Sequence, residues 1–309
     1  MDKVSTFVID DVIWVFRDLT RKRPASLFEN PFLACLKKAH DLYGLKVQLN
    51  IFFKTDNYYG NDSFSLADMT DAYKNEWEQN ADWLKFGFHS RQEFPDYPYI
   101  NADYDLVKDD FLEMQTEVYR FATSKNWTSA VLNHWRPLSK DGCQALYDCG
   151  VRLISATTGE RYEYDNNPAE LPYGHAARLL HNRKPETKIF IRNSKDTAIT
   201  KSLCGYNHIT EQEQAETLFT TKAIKNEEIG ILFKNFSCSI VHNLSKLEDI
   251  RQEAEDYMGN QYVGWGTHEQ YFYPEYYAYQ PDYAEKLMVA CDVFHQNGYD
   301  FIFMEDLIK

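Results

Sequence analysis

Two aspartates stand side by side where the first apolar run of the chain ends, in Phe7-Val8-Ile9-Asp10-Asp11. Val4 to Ile9 is short, β-branched-rich and lacks polar alternation, which is the pattern of a buried strand. Adjacent carboxylates at such a strand end repel each other, and a buried carboxylate is costly unless compensated. A metal ion or an arginine would compensate them, and either turns the pair into chemistry. The plainer reading is a turn or N-cap signal at a strand-to-helix junction. Candidate partners recur after three later strand-like runs: His89 after Lys85 to Phe88, Arg136 after Ala130 to His134, and His268 after Tyr262 to Gly266. In parallel α/β architectures the carboxyl ends of strands share one rim. An acid pair, two histidines and an arginine delivered there by four separate strands point to a site.

The elements that must position these groups alternate between strand and helix. Asn30-Pro31 opens a helical pattern with Phe32, Cys35, Leu36 and Ala39 on one face, and Gly44 closes it. Lys46 to Phe53 reads as a second strand, Ser65 to Trp83 as a helix capped by Ser65, and Lys85 to Phe88 as a short strand. Tyr104 to Thr123 is a long amphipathic helix, Ala130 to His134 a strand, Lys140 to Asp148 a helix and Val151 to Ala156 a strand. Leu244 to Met258, Tyr262 to Gly266, Pro281 to Gln296 and Tyr299 to Met304 continue the alternation. Repeated strand–helix units imply a parallel sheet, open or closed into a barrel. Between about 161 and 228 the rhythm breaks; Pro168, Pro172, Pro185 and β-like runs such as Lys188 to Arg192 suggest an inserted loop or small antiparallel lobe. The expected organisation is one α/β domain over 1–309 carrying that insertion.

Composition narrows the partners. A formal charge of −14 argues against nucleic acid, whose phosphates most of the surface would repel. No apolar stretch approaches membrane-spanning length. Six cysteines without tight pairing, and an N-terminus without a basic-then-apolar layout, lead us to expect reduced thiols in a cytoplasmic protein. The aromatic share is 16%, with 22 tyrosines, which suits sugar-like ligands and equally suits cores or a homo-oligomer interface.

The same residues resemble the polysaccharide deacetylase superfamily (NodB-homology, carbohydrate esterase 4-like). Its first motif, an aromatic-x-Asp-Asp at a strand end, is similar to Phe7-Val8-Ile9-Asp10-Asp11. Its His-Ser/Thr-x-x-His motif matches His89-Ser90-Arg91-Gln92-Glu93 in the first half, and its Arg-Pro motif resembles Trp135-Arg136-Pro137. A late-strand histidine corresponds to His268 in Gly266-Thr267-His268. The resemblance covers about 4–156 and 260–307 and implies a distorted (β/α) barrel that hydrolyses acyl groups on carbohydrates with a divalent metal. It implies Asp10 as general base, Asp11 and His89 as metal ligands, Arg136 as the residue orienting Asp10, and His268 as proton donor to the leaving group.

The departure falls on Glu93, which stands where the family has its second histidine. Four residues after His89 on a helical turn, Glu93 could still share a metal; Asp96, Asp103 or Asp105 could replace it, or Glu93 could be a solvated acid. Zinc suits an Asp-His-Glu set, with manganese or cobalt as alternatives. His134, beside Trp135, reads as packed rather than catalytic. Glu160, Glu305 or Asp306 could orient His268, although solvated or helix-terminal roles explain them more simply. Trp135, Tyr271 and Tyr273 are the candidates for substrate contact, on a small molecule or glycan. The expected activity is removal of an acetyl or similar acyl group from an amino sugar or glycoconjugate. A metal-independent amide hydrolase on the same scaffold, or a catalytically silent carbohydrate-binding protein, are the alternatives.

Overall fold

The computed structural model describes residues 3–57, 63–94, 97–158, 160–162, 201–203, 205–209, 211–235 and 245–308. The central strand is β1 (Lys3–Val12), hydrogen-bonded in parallel to β2 (Val47–Phe52) on one side and to β7 (Tyr262–His268) on the other. Outside β2 runs β3 (Leu84–Ser90), and β8 (Tyr299–Phe301) pairs with the first residues of β1; every one of these pairings is parallel. A second sheet holds β4 (Ala130–Val131), β5 (Leu153–Ser155) and β6 (Leu232–Lys234), also parallel, with Ile224–Lys225 antiparallel on its edge. The two sheets meet along β3: Phe86 bridges Trp127, and the His134 N–H donates to the His89 carbonyl at 2.9 Å. The fold is therefore α/β around a parallel sheet, as the alternating pattern predicts.

The helices are α1 (Trp14–Lys22), α2 (Pro31–Tyr43), α3 (Tyr104–Phe121), α4 (Lys140–Asp148), α5 (Leu247–Glu255) and α6 (Tyr283–Gln296). Local sequence explains most of them. Asn30 accepts from the Phe32 and Leu33 N–H groups ahead of Pro31, and Gly44 closes α2 in the left-handed conformation at φ 73°. Asp103 and Ser139 cap α3 and α4 in the same way.

Two expectations are corrected. Ser65 to Trp83 is not one helix: Ser65 caps only a 3-10 turn at Leu66–Asp68, and α-helix is confined to Lys74–Gln79. Between them the Thr70 hydroxyl accepts from the Ala72 N–H, a local side-chain turn that competes with helix continuation. Conversely α1 was not expected, because Ile13 stands at its N-cap and offers no capping oxygen.

Period-two alternation inside the sheets sets up the site. Val8 of β1, Ala130 and Leu132 at β4, Leu153 of β5 and Tyr262 of β7 pack in one cluster with Met304 and Leu307, so strands of both sheets face a shared interior. From β6 the fully buried Lys234 enters the same interior, its Nζ 3.9 Å from the Tyr262 ring centre, so β6 approaches β7 through side chains. The Lys234 ammonium donates to the carbonyls of Leu218, Thr220 and Lys222, tying the end of the 161–228 insertion beneath the sheet; burial pushes its pKa down to about 7.

Around that insertion, 157–158 pairs with 208–209 and 160–162 with 201–203, both in parallel, while 224–225 runs antiparallel to 232–233. Pro168, Pro172, Pro185 and Lys188 to Arg192 lie outside the described residues. Among the described residues no helix is long and apolar enough to cross a membrane, and Cys35, Cys143, Cys149 and Cys291 are free thiols. Replacing Lys234 with Met leaves the buried Leu218 carbonyl and two part-buried ones without their donor, so urea unfolding should show a loss of about 1–3 kcal/mol. An unchanged midpoint would mean that those carbonyls are satisfied elsewhere.

Candidate active site

The doubled aspartate is built by a β-bulge. On β1, Ile9 pairs with Leu49 and Val12 with Ile51, so Asp10 and Asp11 together oppose the single residue Asn50. Asp11 adopts φ 59°, a left-handed conformation that a non-glycine residue rarely takes. In a regular strand consecutive side chains would point to opposite faces; the bulge aims both carboxylates into the same region. A second register shift lies at His89, where Ile51 pairs with Phe88 but Phe52 with Ser90. On the other flank, Asp10 pairs directly with His268 of β7.

Around Asp11 three ligand atoms converge. Its Oδ1 lies 3.0 Å from His89 Nε2 and 3.3 Å from His134 Nδ1, and the two ring nitrogens are 3.2 Å apart. All three residues are buried, and among the described residues they form the group that could hold a metal ion. Each imidazole is held from behind by a backbone carbonyl: His89 Nδ1 by Leu132 at 2.6 Å, and His134 Nε2 by Glu93 at 3.0 Å. A carbonyl only accepts, so those nitrogens carry the hydrogens, and in the neutral rings the facing nitrogens present lone pairs. Two lone pairs and a carboxylate oxygen at this separation repel unless a cation or shared protons lie among them. Donors about 2.0 Å from a common centre at tetrahedral angles stand ~3.3 Å apart, close to the observed spacing. The residues present therefore fit a divalent cation.

The electrostatics point the same way. Burial works to raise the Asp11 pKa, but hydrogen bonds from His134 and His89 and the charge of His268 outweigh it and hold the carboxyl well below its usual range. Burial works to lower the His89 pKa, and the charges of Asp10 and Asp11 with the Asp11 bond outweigh it, so His89 keeps its proton to a higher pH than a free imidazole.

Glu93 is corrected. Residues 91–93 form a bend rather than a helical turn, so the spacing from His89 does not carry the carboxylate to the group. Its Oε2 instead accepts from Gln270 Nε2 at 3.2 Å, and the residue contributes its carbonyl to His134. His134 stands in the third place of the group. Of the alternatives to Glu93, Asp103 caps α3, Asp105 lies in its first turn, and Asp96 is outside the described residues. Glu305 accepts from Lys85, Thr128 and Ser129 where β3 and β4 begin, the end of the sheet away from His268. Asp306 caps its own turn at Phe303.

His268 Nε2 stands 3.8 Å from Asp11 Oδ2, with its side chain 36% exposed, and Tyr271 packs edge-on to its ring at 5.7 Å. Tyr273 is buried against Trp14 and Phe32, so it belongs to the core rather than to a surface offered to a ligand. Trp135 and Arg136 follow His134 at φ 59° and 69°, in a turn closed by Arg136 N–H donating to Asn133. Asn207, returning from the insertion, fastens this turn: it donates to the carbonyls of Arg136 and Ser155 and accepts from the Leu138 N–H. The hydrogen bond on Asp10 comes from Asn50, at 2.6 Å, rather than from Arg136.

Glu269, which the sequence offers only within a run of candidates for ligand contact from Glu269 to Pro274, has a structural role. Its carboxylate accepts from the N–H groups of Ile13, Trp14 and Val15 at 2.7, 2.8 and 2.7 Å, capping α1 from 255 residues away in the chain for Trp14. Burial pushes its pKa up to about 7, against the pull of the three N–H groups and Arg17. The cap joins the loop after Asp11 to the residue after His268, fixing the acid pair against the histidine. No local signal announces it beyond an acid following a strand-end histidine.

No protein-family model and no curated protein matches the chain. The chain is similar in fold to the 4-alpha-glucanotransferase of Thermococcus litoralis, with TM-score 0.52 and 9% identity, over 100% of this chain and 40% of that one. The chain thus spans well under half the length of that enzyme, and at this identity the likeness is one of fold. Solved structures at lower TM-score include a family 4 acetyl xylan esterase from Clostridium thermocellum in complex with a cobalt ion, at 0.41 and 10% identity, covering 99% of this chain and 90% of that one. Another is the Xyl-CE4 domain of a multidomain xylanase from the hindgut metagenome of Trinervitermes trinervoides, at 0.43 and 8% identity, with coverage of 99% and 90%.

Two measurements probe this geometry. Because the proton on His89 must leave before the nitrogen can bind a cation, zinc affinity measured by calorimetry should weaken as pH falls from above 7 towards 5, approaching about tenfold per unit; a flat profile would remove His89 from the site. Glu269→Ala strips three buried N–H groups of their acceptor and should cost about 3 kcal/mol or more in thermal unfolding, with Glu269→Gln intermediate. Wild-type stability in the alanine variant would mean that α1 needs no distant cap.

Proposed function

We propose that this protein is a metal-dependent hydrolase that removes an acetyl or similar acyl group from an amino sugar or glycoconjugate. The observation that carries the reading is the convergence of Asp11, His89 and His134 beside Asp10, with His268 paired to Asp10 across the β1–β7 ladder. Asp11, His89 and His134 would hold a divalent cation, zinc by donor type, with manganese or cobalt as alternatives. When bound, such an ion acidifies a water molecule and polarises the acyl carbonyl.

The chain's own groups then divide the proton transfers. Asp10, in the bulge but outside the three-ligand group, takes a proton from the attacking water as its oxygen bonds to the acyl carbon. His268 delivers a proton to the departing nitrogen or oxygen as the bond from the acyl carbon breaks. The products are the carboxylic acid and the free amine or alcohol, and the proton on Asp10 restores His268 through solvent. Asp11 Oδ2 lies 3.8 Å from His268 Nε2, so the proton donor stands beside the group that would hold the cation. Trp135 and Tyr271, beside His134 and His268 respectively, are the aromatic faces placed to meet a sugar ring.

Acetate release from a panel of N- and O-acetylated sugars tests the activity. We expect turnover to fall about 100-fold or more in Asp10→Asn and His268→Ala with bound metal retained, whereas His134→Ala should lose the metal and the activity together. Elemental analysis of protein purified without chelator supplies the metal content. Turnover that survives complete metal removal would support a metal-independent amide hydrolase, and sugar binding without any turnover would support a silent carbohydrate-binding protein.

A further inference from the structure

The interior of the sheet beneath Asp10 is occupied by an amide relay that neither the acid–base pair nor the metal group explains. Asn50, fully buried on β2, donates from Nδ2 to Asp10 Oδ1 at 2.6 Å. Its own Oδ1 accepts from Gln48 Nε2 at 2.7 Å, and the same nitrogen reaches the Ala130 carbonyl of the second sheet at 3.2 Å. Gln48 and Asn50 are two residues apart on β2 and so share its inward face. Buried polar side chains in a six-residue strand without exposed positions are costly unless paired; here both Asn50 groups and Gln48 Nε2 are paired, Gln48 Oε1 has no hydrogen-bond partner among the described residues, and the chain of bonds ends on one carboxylate oxygen.

The neighbouring strand makes room for this relay. A Cβ at Gly87 of β3 would lie 2.6 Å from Gln48 Nε2 and 2.8 Å from Asn50 Oδ1, so any side chain there would displace the two amides. Asn50 is also the single residue opposite the Asp10–Asp11 bulge, where β1 departs from regular geometry. The relay thus acts where the backbone leaves the side-chain direction least determined.

We propose that Asn50 is a positioning residue for Asp10: held by Gln48 in the space left by Gly87, its carboxamide fixes the Asp10 carboxylate in the rotamer that faces the attacking water. The carboxamide N–H holds one carboxylate oxygen and thereby directs the other. This assignment rests on the hydrolase reading above for its kinetic consequences, but not for its geometry.

The test compares Asn50→Ala, Asn50→Asp and Gly87→Ala with wild type. Asn50→Asp keeps the shape while removing the donor, and Gly87→Ala leaves both amides chemically intact but displaces them. All three should lower kcat by about 100-fold, the scale for misplacing a reacting group, with KM within about threefold and bound metal per chain unchanged. The double exchange Asp10→Asn with Asn50→Asp restores a carboxamide–carboxylate bond in reverse; it should recover thermal stability and leave kcat low. Full kcat in Asn50→Ala, or recovered kcat in the exchange, would overturn the assignment. A crystal structure of Asn50→Ala provides a readout that needs no substrate: a turned Asp10 carboxylate supports the proposal, and an unchanged rotamer overturns it. Wild type without acyl hydrolysis would instead overturn the hydrolase reading, leaving that rotamer to decide the role of Asn50.

Discussion

The β-bulge at Asp10–Asp11 is the constraint on which the site depends. A regular strand alternates its side chains, so two consecutive aspartates would serve two different faces. Here the register slips by one residue against β2, and Asp11 takes a left-handed backbone conformation. Both carboxylates then occupy one region, where their repulsion has to be met from outside. On Asp11 the answer is His89 and His134; on Asp10 it is Asn50. Strain of this kind is stored at functional sites because the surrounding structure over-determines it, and the Glu269 cap on α1, just beyond the bulge, is part of that surrounding structure.

Each of the two imidazoles is fixed by a backbone carbonyl behind it, so the facing nitrogens cannot turn away from Asp11. The arrangement is preorganised for positive charge, and the raised proton affinity of His89 is the same preference expressed towards a proton. Glu93 has a supporting part through its carbonyl. A bent backbone at 91–93 rather than a helical turn settles this, since residues four apart meet only on a helix.

The fold itself was largely legible from the sequence. Asn30-Pro31 and Gly44 bracket α2 because the cap and stop signals are local, and α4 occupies the expected Lys140–Asp148 for the same reason, with Ser139 as its cap. Where stabilisation is not local, reading failed. Helix α1 carries no capping residue of its own, and the long helix expected over Ser65 to Trp83 is broken by the turn that Thr70 makes with Ala72. The histidine His134 was visible at the end of its strand, yet a histidine beside a tryptophan looks like core until its neighbours are known.

By itself the sequence determined the alternating α/β pattern and put Asp10, Asp11, His89 and His268 towards the carboxyl ends of strands, because hydrophobic periodicity and turn chemistry act over a few residues. Only the tertiary structure decided how those groups are paired. That His134 rather than Glu93 completes the group around Asp11, that Asn50 holds Asp10, and that Glu269 caps a helix at the opposite end of the chain are all contacts across 40 residues or more. Such contacts depend on strand register and bulges, and a shift of one residue re-aims every side chain beyond it.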